Sequence, residues 1–378
     1  MALDRGAGTP PLYIQVSDIL RQRILEGVWE GGAAIPAEHQ LCQEFAIARG
    51  TLRQALDKLD QEGFLRREQG RGTFVTWSGV RRRPEGLPGS QIGFVVPYVR
   101  DTFVATILLG LEHGAEERGF SVVFNHVANS PQEQSAALAK FAEQNLAGIV
   151  LYPVDSVHVE PVDELVKASY PIVLVDRYLR GVTTDYVMSD HFGGALRATQ
   201  HLINLGHRRI AFVSWRDPAV SMEHRLIGYQ RGLAEAELPY APGLTCEVEG
   251  YPIIKPDSFY NLFAMHPPVT AIFAANVQIA LSIYKAAHTA GRHIPQDLAL
   301  VGFDNLDIAA QLDTPLTTVA QPAFEIGYTA AQLLAKRINH EVQDPQQVIL
   351  PTSLIIRQSC GAHLAQVTSR IAALHSTQ

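Results

Sequence analysis

The apolar residues Leu12, Val16, Ile19, Leu20 and Ile24 recur at three- and four-residue spacings, which predicts an amphipathic helix over 12–24 with Arg21 and Arg23 on its polar side. Leu41 and Phe45 predict a short second helix that opens at Pro36-Ala37-Glu38. Proline lacks only an N–H that would be unpaired in a first turn, and Glu38 suits the positive helix end. After a tight break at 46–48, Leu52, Ala55, Leu56 and Leu59 repeat the helical spacing in a third helix ending at Gly63. Two strand-like runs then flank a Gly70-Arg71-Gly72 tip within 64–75. Two short helices joined by a few residues, followed by a hairpin, outline a winged helix-turn-helix.

From Gln91 the pattern changes. Short β-branched runs at 92–96, 121–124, 148–151 and 172–175 alternate with helical stretches at 103–118, 136–143 and 162–168. The alternation restarts with helices 193–205, 222–236 and 278–290 and strands 210–214, 271–275 and 298–302. Each half predicts a parallel sheet covered by helices, so the fold class is multidomain: the winged helix, then two doubly wound α/β subdomains with a cleft between them. The expected domains are 1–77, a linker at 78–90 rich in Gly, Pro and Arg, 91–361, and a tail at 362–378.

Composition narrows the setting. The 378 residues suffice for two or three compact units. No apolar run nears the roughly 20 residues needed to span a bilayer, the longest, such as 148–154, being strand-sized. The start of the chain lacks the apolar stretch of a secretory signal, and Cys42, Cys246 and Cys360 lie too far apart for a CxxC pair; both point to the cytoplasm. Charge is uneven. Residues 1–83 carry twelve Lys and Arg against ten Asp and Glu, a balance of +2, which leaves −9 on the remainder. An acidic bulk repels polyanions, so any nucleic-acid contact has to come from the small front unit, where the Arg81–Arg83 run is a phosphate contact or a solvated tether.

On the third helix, the 100° step per residue turns Gly50, Arg53, Gln54 and Asp57 away from the apolar stripe. Arg and Gln read guanine and adenine edges in a major groove, and Arg49 and Thr51 at the helix start are placed to hold phosphates. In the larger part, ligands of doubly wound sheets sit beyond the carboxyl ends of the strands. Those positions supply Asp101, Phe103, Asp176, Arg177, Asn276 and Asp304, with Arg225 on a following helix and Gln321 before Pro322. Carboxylates, amides and guanidinium forks suit a polyhydroxylated ligand, whose C–H faces would lie on rings such as Phe103, Tyr98 or Trp215. No GxSxG, Walker, HExxH or GxGxxG motif occurs, and the fourteen histidines lack metal-ligand spacing, so neither an enzymatic activity nor a cofactor or metal is expected.

Over 11–75, the series Ile35-Pro36-Ala37-Glu38, Leu41, Phe45, Ile47-Ala48-Arg49, Thr51-Leu52-Arg53, Ala55-Leu56, Leu59, Glu62-Gly63 and Gly70 to Val75 resembles the GntR family of winged-helix DNA-binding domains. The resemblance implies operator contacts by Arg49, Thr51, Arg53 and the wing tip Gly70, Arg71 and Gly72, to which the outward face of the third helix adds Gly50 and Gln54. Ala37 and Ala48 depart from it, standing where the family usually has Ser. Over 91–361, the runs 92–97, Pro171 to Arg177, His201 to Ile210, Arg225 to Tyr229, Val301 to Asn305, Leu316 to Pro322 and Arg357 to Ser359 resemble the LacI/GalR effector domain, itself similar to periplasmic sugar-binding proteins. This implies that Asp101, Phe103, Asp176, Arg177, Arg225, Asn276, Asp304 and Gln321 line a sugar site. Departures occur at Asp101 to Val104, at Asn276-Val277 and at Asp190-His191, where the family has Asp-Asn.

The pairing resembles the arrangement of bacterial arabinose repressors. It implies a homodimeric repressor of carbohydrate-utilisation genes, released from operator DNA when a monosaccharide, arabinose or another pentose, enters the cleft. A cytoplasmic sugar-binding protein or sugar-modifying enzyme without operator regulation is the alternative.

Overall fold

A computed structural model describes residues 11–25, 28–29, 32–61, 64–68, 71–76, 90–99, 102–216, 219–249 and 254–364. The chain divides into two compact units, Met1–Leu87 and Pro88–Gln378. The Arg81–Arg83 run, most of the expected linker and residues 365–378 of the expected tail lie outside the described residues.

The smaller unit contains α1 (Leu12–Leu25), α2 (Glu38–Phe45), α3 (Arg49–Gln61) and the antiparallel hairpin β1 (Leu65–Glu68) and β2 (Gly72–Val75). Val16, Leu20, Ile24, Leu41, Phe45, Leu52, Leu56 and Leu59 form one core with Ile35, Leu65 and Val75, so the helical spacings in the sequence define its buried faces. The second helix starts two residues later than its sequence pattern suggests. Ile35 N–H donates to the Thr73 carbonyl (3.0 Å) and Val75 N–H to the Ala33 carbonyl (2.9 Å), which draws residues 33–35 alongside β2 and delays the helix to Glu38. Ala37 is the N-cap and offers no side-chain acceptor; its own N–H donates to Gln40 Oε1 at 3.1 Å.

The larger unit has two lobes. The first begins with β3 (Gln91–Val96), α4 (Thr102–Glu117), β4 (Ser121–His126), α5 (Pro131–Glu143), β5 (Gly148–Leu151), α6 (Glu160–Lys167), β6 (Ile172–Val175) and β7 (Asp185–Ser189). The chain then crosses to the second lobe. There it forms α7 (His191–Asn204), β8 (Ile210–Trp215), α8 (Val220–Glu235), β9 (Thr245–Val248), α9 (Tyr260–Phe263), β10 (Ala271–Ala274), α10 (Val277–Thr289), β11 (Ala299–Phe303), α11 (Ile308–Gln311) and β12 (Thr317–Ala320). It returns to the first lobe for α12 (Ala323–Ile338) and β13 (Gln347–Leu350), and crosses a third time to β14 (Ser353–Ile355).

Each lobe holds one six-stranded sheet, in the orders β13-β7-β6-β5-β3-β4 and β14-β12-β11-β10-β8-β9. All pairings are parallel except β12 with β14. Central strands such as β5, β6 and β10 are buried at every position, as sheets covered on both faces require. The expected pair of doubly wound subdomains is therefore present. The first and third crossings are tied together: Asp190 N–H donates to the Leu350 carbonyl (2.8 Å), and Arg197 donates to Thr352 Oγ1 (2.6 Å).

Candidate functional site

On the smaller unit, Gly50, Arg53, Gln54 and Asp57 are exposed along one side of α3, with Arg49 exposed at its start and Thr51 half-buried. Ala46 turns the chain between α2 and α3 in the left-handed region (φ 50°), its N–H satisfied by the Cys42 and Gln43 carbonyls. Arg53 pairs with Glu38 of α2 at 3.2 Å, and Arg67 of β1 pairs with Asp57 at 2.8 Å. These exposed pairs hold the α3 side chains in place at little energetic cost to exchange for another anion. At the wing, Arg71 is exposed in the turn and Gly72 has φ 127°, a backbone that only glycine adopts readily; Gly70 lies outside the described residues.

In the larger unit, a cavity of about 420 Å³ lies where the carboxyl ends of the two sheets face each other. Seven of the eight residues expected from the sequence line it: Phe103, Asp176, Arg177, Arg225, Asn276, Asp304 and Gln321. The eighth, Asp101, lies outside the described residues. Tyr98 and Trp215, the other expected rings, also line it.

The two lobes place their acids with the same device. Asp176 directly follows β6 and Asp304 directly follows β11; both have positive φ (65° and 74°). Each donates its N–H to the neighbouring strand, Asp176 to the Val187 carbonyl (3.0 Å) and Asp304 to the Val319 carbonyl (2.9 Å). Aspartate tolerates this left-handed backbone better than most residues, and the bend sends each carboxylate into the cleft.

Each acid is met by a guanidinium. Arg177 lies over the Tyr152 ring (4.9 Å to its centroid), donates to the Tyr152 hydroxyl (3.2 Å) and the Val154 carbonyl (3.0 Å), and contacts Asp176 at 3.4 Å. Arg225 lies over Phe303 at 3.8 Å, donates to the Ala275 carbonyl and pairs with Asp304 at 3.6 Å. Gln321 Nε2 donates to Asp304 Oδ1 at 2.6 Å. Asn276 caps α10 by accepting from Ile279 N–H at 2.9 Å.

His191 joins the two halves of this network. Its Nε2 lies 3.0 Å from the Asp176 carbonyl oxygen, and its Nδ1 lies 3.4 Å from Arg225 Nε and 3.3 Å from Nη2. A guanidinium only donates, so Nδ1 accepts and the proton sits on Nε2. Burial, followed by the Arg225 cation, pushes this imidazole down to about 3. Burial also opposes ionisation of Asp176, yet His191, Arg177 and Arg225 outweigh it and hold the carboxyl below its usual range. With His191 neutral at ordinary pH, the cations facing Asp176 there are the Arg177 and Arg225 guanidinium groups.

Sequence reasoning missed Tyr152, Asp155, His191 and Ser221. Tyr152 follows β5 as Asp176 follows β6, so the rule applied to the other strand ends would have found it. His191 was visible only as a departure from Asp-Asn. Asp155 accepts from Val157 and His158 N–H groups (2.8 and 2.9 Å). Burial would push its carboxyl up, but these donors hold it below its ordinary value. Ser221 Oγ and Gln321 Oε1, both on cavity-lining residues, are buried without a protein partner and so are open to a ligand.

A winged helix with an exposed α3 side, followed by a two-lobed cleft of acids, amides and guanidinium groups, defines a DNA-binding regulator with an effector domain. Residues 12–75 match the model of bacterial regulatory proteins of the gntR family, and residues 199–360 match the periplasmic binding protein-like domain. An arabinose metabolism transcriptional repressor from Geobacillus stearothermophilus is 31% identical, over 93% of this chain and 98% of its own. Among solved structures, a complex of the transcriptional regulator CelR with cellobiose is 26% identical with a TM-score of 0.65, covering 86% of this chain and all of that one. A LacI family regulator from Enterococcus faecium with bound ribose is 27% identical with a TM-score of 0.61, covering 71% of this chain and 98% of that one. The chain belongs to the gntR family of bacterial transcriptional regulators, in the group whose winged helix precedes a periplasmic-binding-protein-like effector domain.

Proposed function

We propose that this regulator is a sugar-responsive repressor of carbohydrate-utilisation genes, acting in the cytoplasm as a homodimer whose paired winged helices grip a near-palindromic operator. In this reading Arg53 and Gln54 meet base edges, while Arg49, Gly50, Thr51 and the wing residues Gly70, Arg71 and Gly72 meet the backbone. Asp101, Phe103, Asp176, Arg177, Arg225, Asn276, Asp304 and Gln321 bind the effector, and no catalytic step is assigned to them. The front unit and linker span 1–90, the effector and dimerisation domain 91–361.

The observation that carries the choice of ligand is charge pairing within the cleft. Each lining guanidinium has carboxylate partners: Arg177 with Asp176, Arg225 with Asp304, and Arg216 with Glu247 and Glu249. An anionic ligand would meet those acids, whereas a neutral polyol accepts from the guanidinium groups and donates to the carboxylates together. Binding across both lobes shifts the protein toward whichever arrangement holds the sugar more tightly, and operator affinity follows.

The test is an operator fragment titrated with the full-length protein, with and without sugars at millimolar concentration. At least one neutral sugar should weaken operator binding tenfold or more and raise the melting temperature. Sugar phosphates and uronic acids should do neither. Operator binding that no sugar alters, or a sugar consumed on incubation, contradicts the proposal.

A further inference from the structure

The lobes already touch along one wall of the cavity. Ser156, next to the lining residue Asp155 in the first lobe, is fully buried, and its Oγ accepts from Val220 N–H at 3.1 Å. Val220 opens α8 in the second lobe and directly precedes the lining residue Ser221. The N-cap of α8 is Ala219, which has no side-chain acceptor, so the first lobe supplies the cap. Beside it, Arg180 of the first lobe pairs with Glu223 of α8, and the Tyr178 ring lies 5.9 Å from that of His224. The His191 bridge joins Asp176 and Arg225 at the hinge side. The lobes are thus in contact on one wall of the cavity as well as at the hinge.

The space of about 420 Å³ shows what the cleft has room to hold. At the density of organic solids a sugar takes up roughly 16 Å³ per non-hydrogen atom, so a pentose needs about 160 Å³ and a hexose disaccharide about 370 Å³.

Length agrees with volume. Lining residues extend from Asp176 after β6 to Asn129 after the edge strand β4, and from Asp304 after β11 to Glu249 after the edge strand β9. Each span covers three strand steps, about 14 Å at about 4.8 Å per step, roughly twice the reach of one sugar ring. The inner end holds Asp176, Arg225 and Asp304. The outer end has polar groups of its own, Asn129, Asp155, Arg216 and Glu249.

Building on the sugar reading above, we infer that the effector is a neutral disaccharide, one ring on the inner acids and guanidinium groups and the second between Asn129 and Glu249. The resemblance to arabinose repressors implied a single pentose; the cleft has space and polar groups for two rings.

Calorimetry on the full-length protein compares cellobiose, maltose, xylobiose and α-1,5-arabinobiose with glucose, xylose, arabinose and ribose. One disaccharide should bind at least tenfold more tightly than its own monosaccharide. In Asn129→Ala and Glu249→Ala, the loss for that disaccharide should exceed the loss for its monosaccharide at least fivefold. A monosaccharide that equals or surpasses every disaccharide overturns this inference and leaves the sugar reading intact. Equal losses for the two sugars in both variants overturn the placement of the second ring. Binding of neither size of sugar overturns both readings.

Discussion

His191 has a measurable thermodynamic signature. Its imidazole titrates at about 3 in the fold against 6.5 when free, so between those values the unfolded chain takes up a proton that the folded chain refuses. Stability must rise with pH across that window, by at most about 1.4 kcal/mol per pH unit, and the contribution is flat above it. The difference in unfolding free energy between the native chain and His191→Gln should show that slope. Parallel pH curves for the two proteins would mean that the imidazole is not held neutral by burial and Arg225. Arg53 makes a simpler case, since its pair with Glu38 is exposed and worth about 1 kcal/mol at most. Arg53→Ala should therefore leave the fold nearly as stable while weakening operator binding by about 1–3 kcal/mol, read by fluorescence anisotropy at matched salt. Unchanged affinity would remove Arg53 from the groove.

Among the elements, α8 depends on its neighbour for completion. Removing the hydroxyl in Ser156→Ala leaves the Val220 N–H buried without an acceptor and takes away one contact between the lobes, a loss of about 1–3 kcal/mol. Effector affinity should fall about two- to tenfold by calorimetry, with operator affinity in the absence of sugar kept; an unaltered effector affinity would show that the contact does not favour the bound arrangement. The helices and buried strands were legible because their apolar spacing is regular: β5 and β6 lie where unbroken runs of branched residues predict them. Other strands carry no such signature. Asp185–Ser189 begins on a polar residue, Thr245–Val248 is a half-exposed edge, and Gln347–Leu350 alternates exposed with half-buried positions, so sheet pairing rather than local composition makes them strands. The delayed start of α2 has the same origin, because residues 33–35 are claimed by β2.

At the scale of the whole molecule, strand-end positions are readable from sequence once the doubly wound pattern is seen, and so seven cleft residues could be named in advance. The contacts between them were not readable. His191 meets Asp176 and Arg225 only because the chain crosses between lobes beside it, and Ser156 meets Val220 across 64 residues. Those three crossings also govern how such a protein can be rebuilt. The first lobe is assembled from residues before α7 and again from α12 and β13, with β14 returned to the second, so neither lobe is one uninterrupted stretch of gene. Exchange of one continuous stretch would leave β13 or β14 paired with a strand from the other parent, whereas a junction near residue 87 parts only the two compact units. New effector preferences must then arise by point substitution or by wholesale exchange of everything downstream, and the reading head is free to be inherited separately.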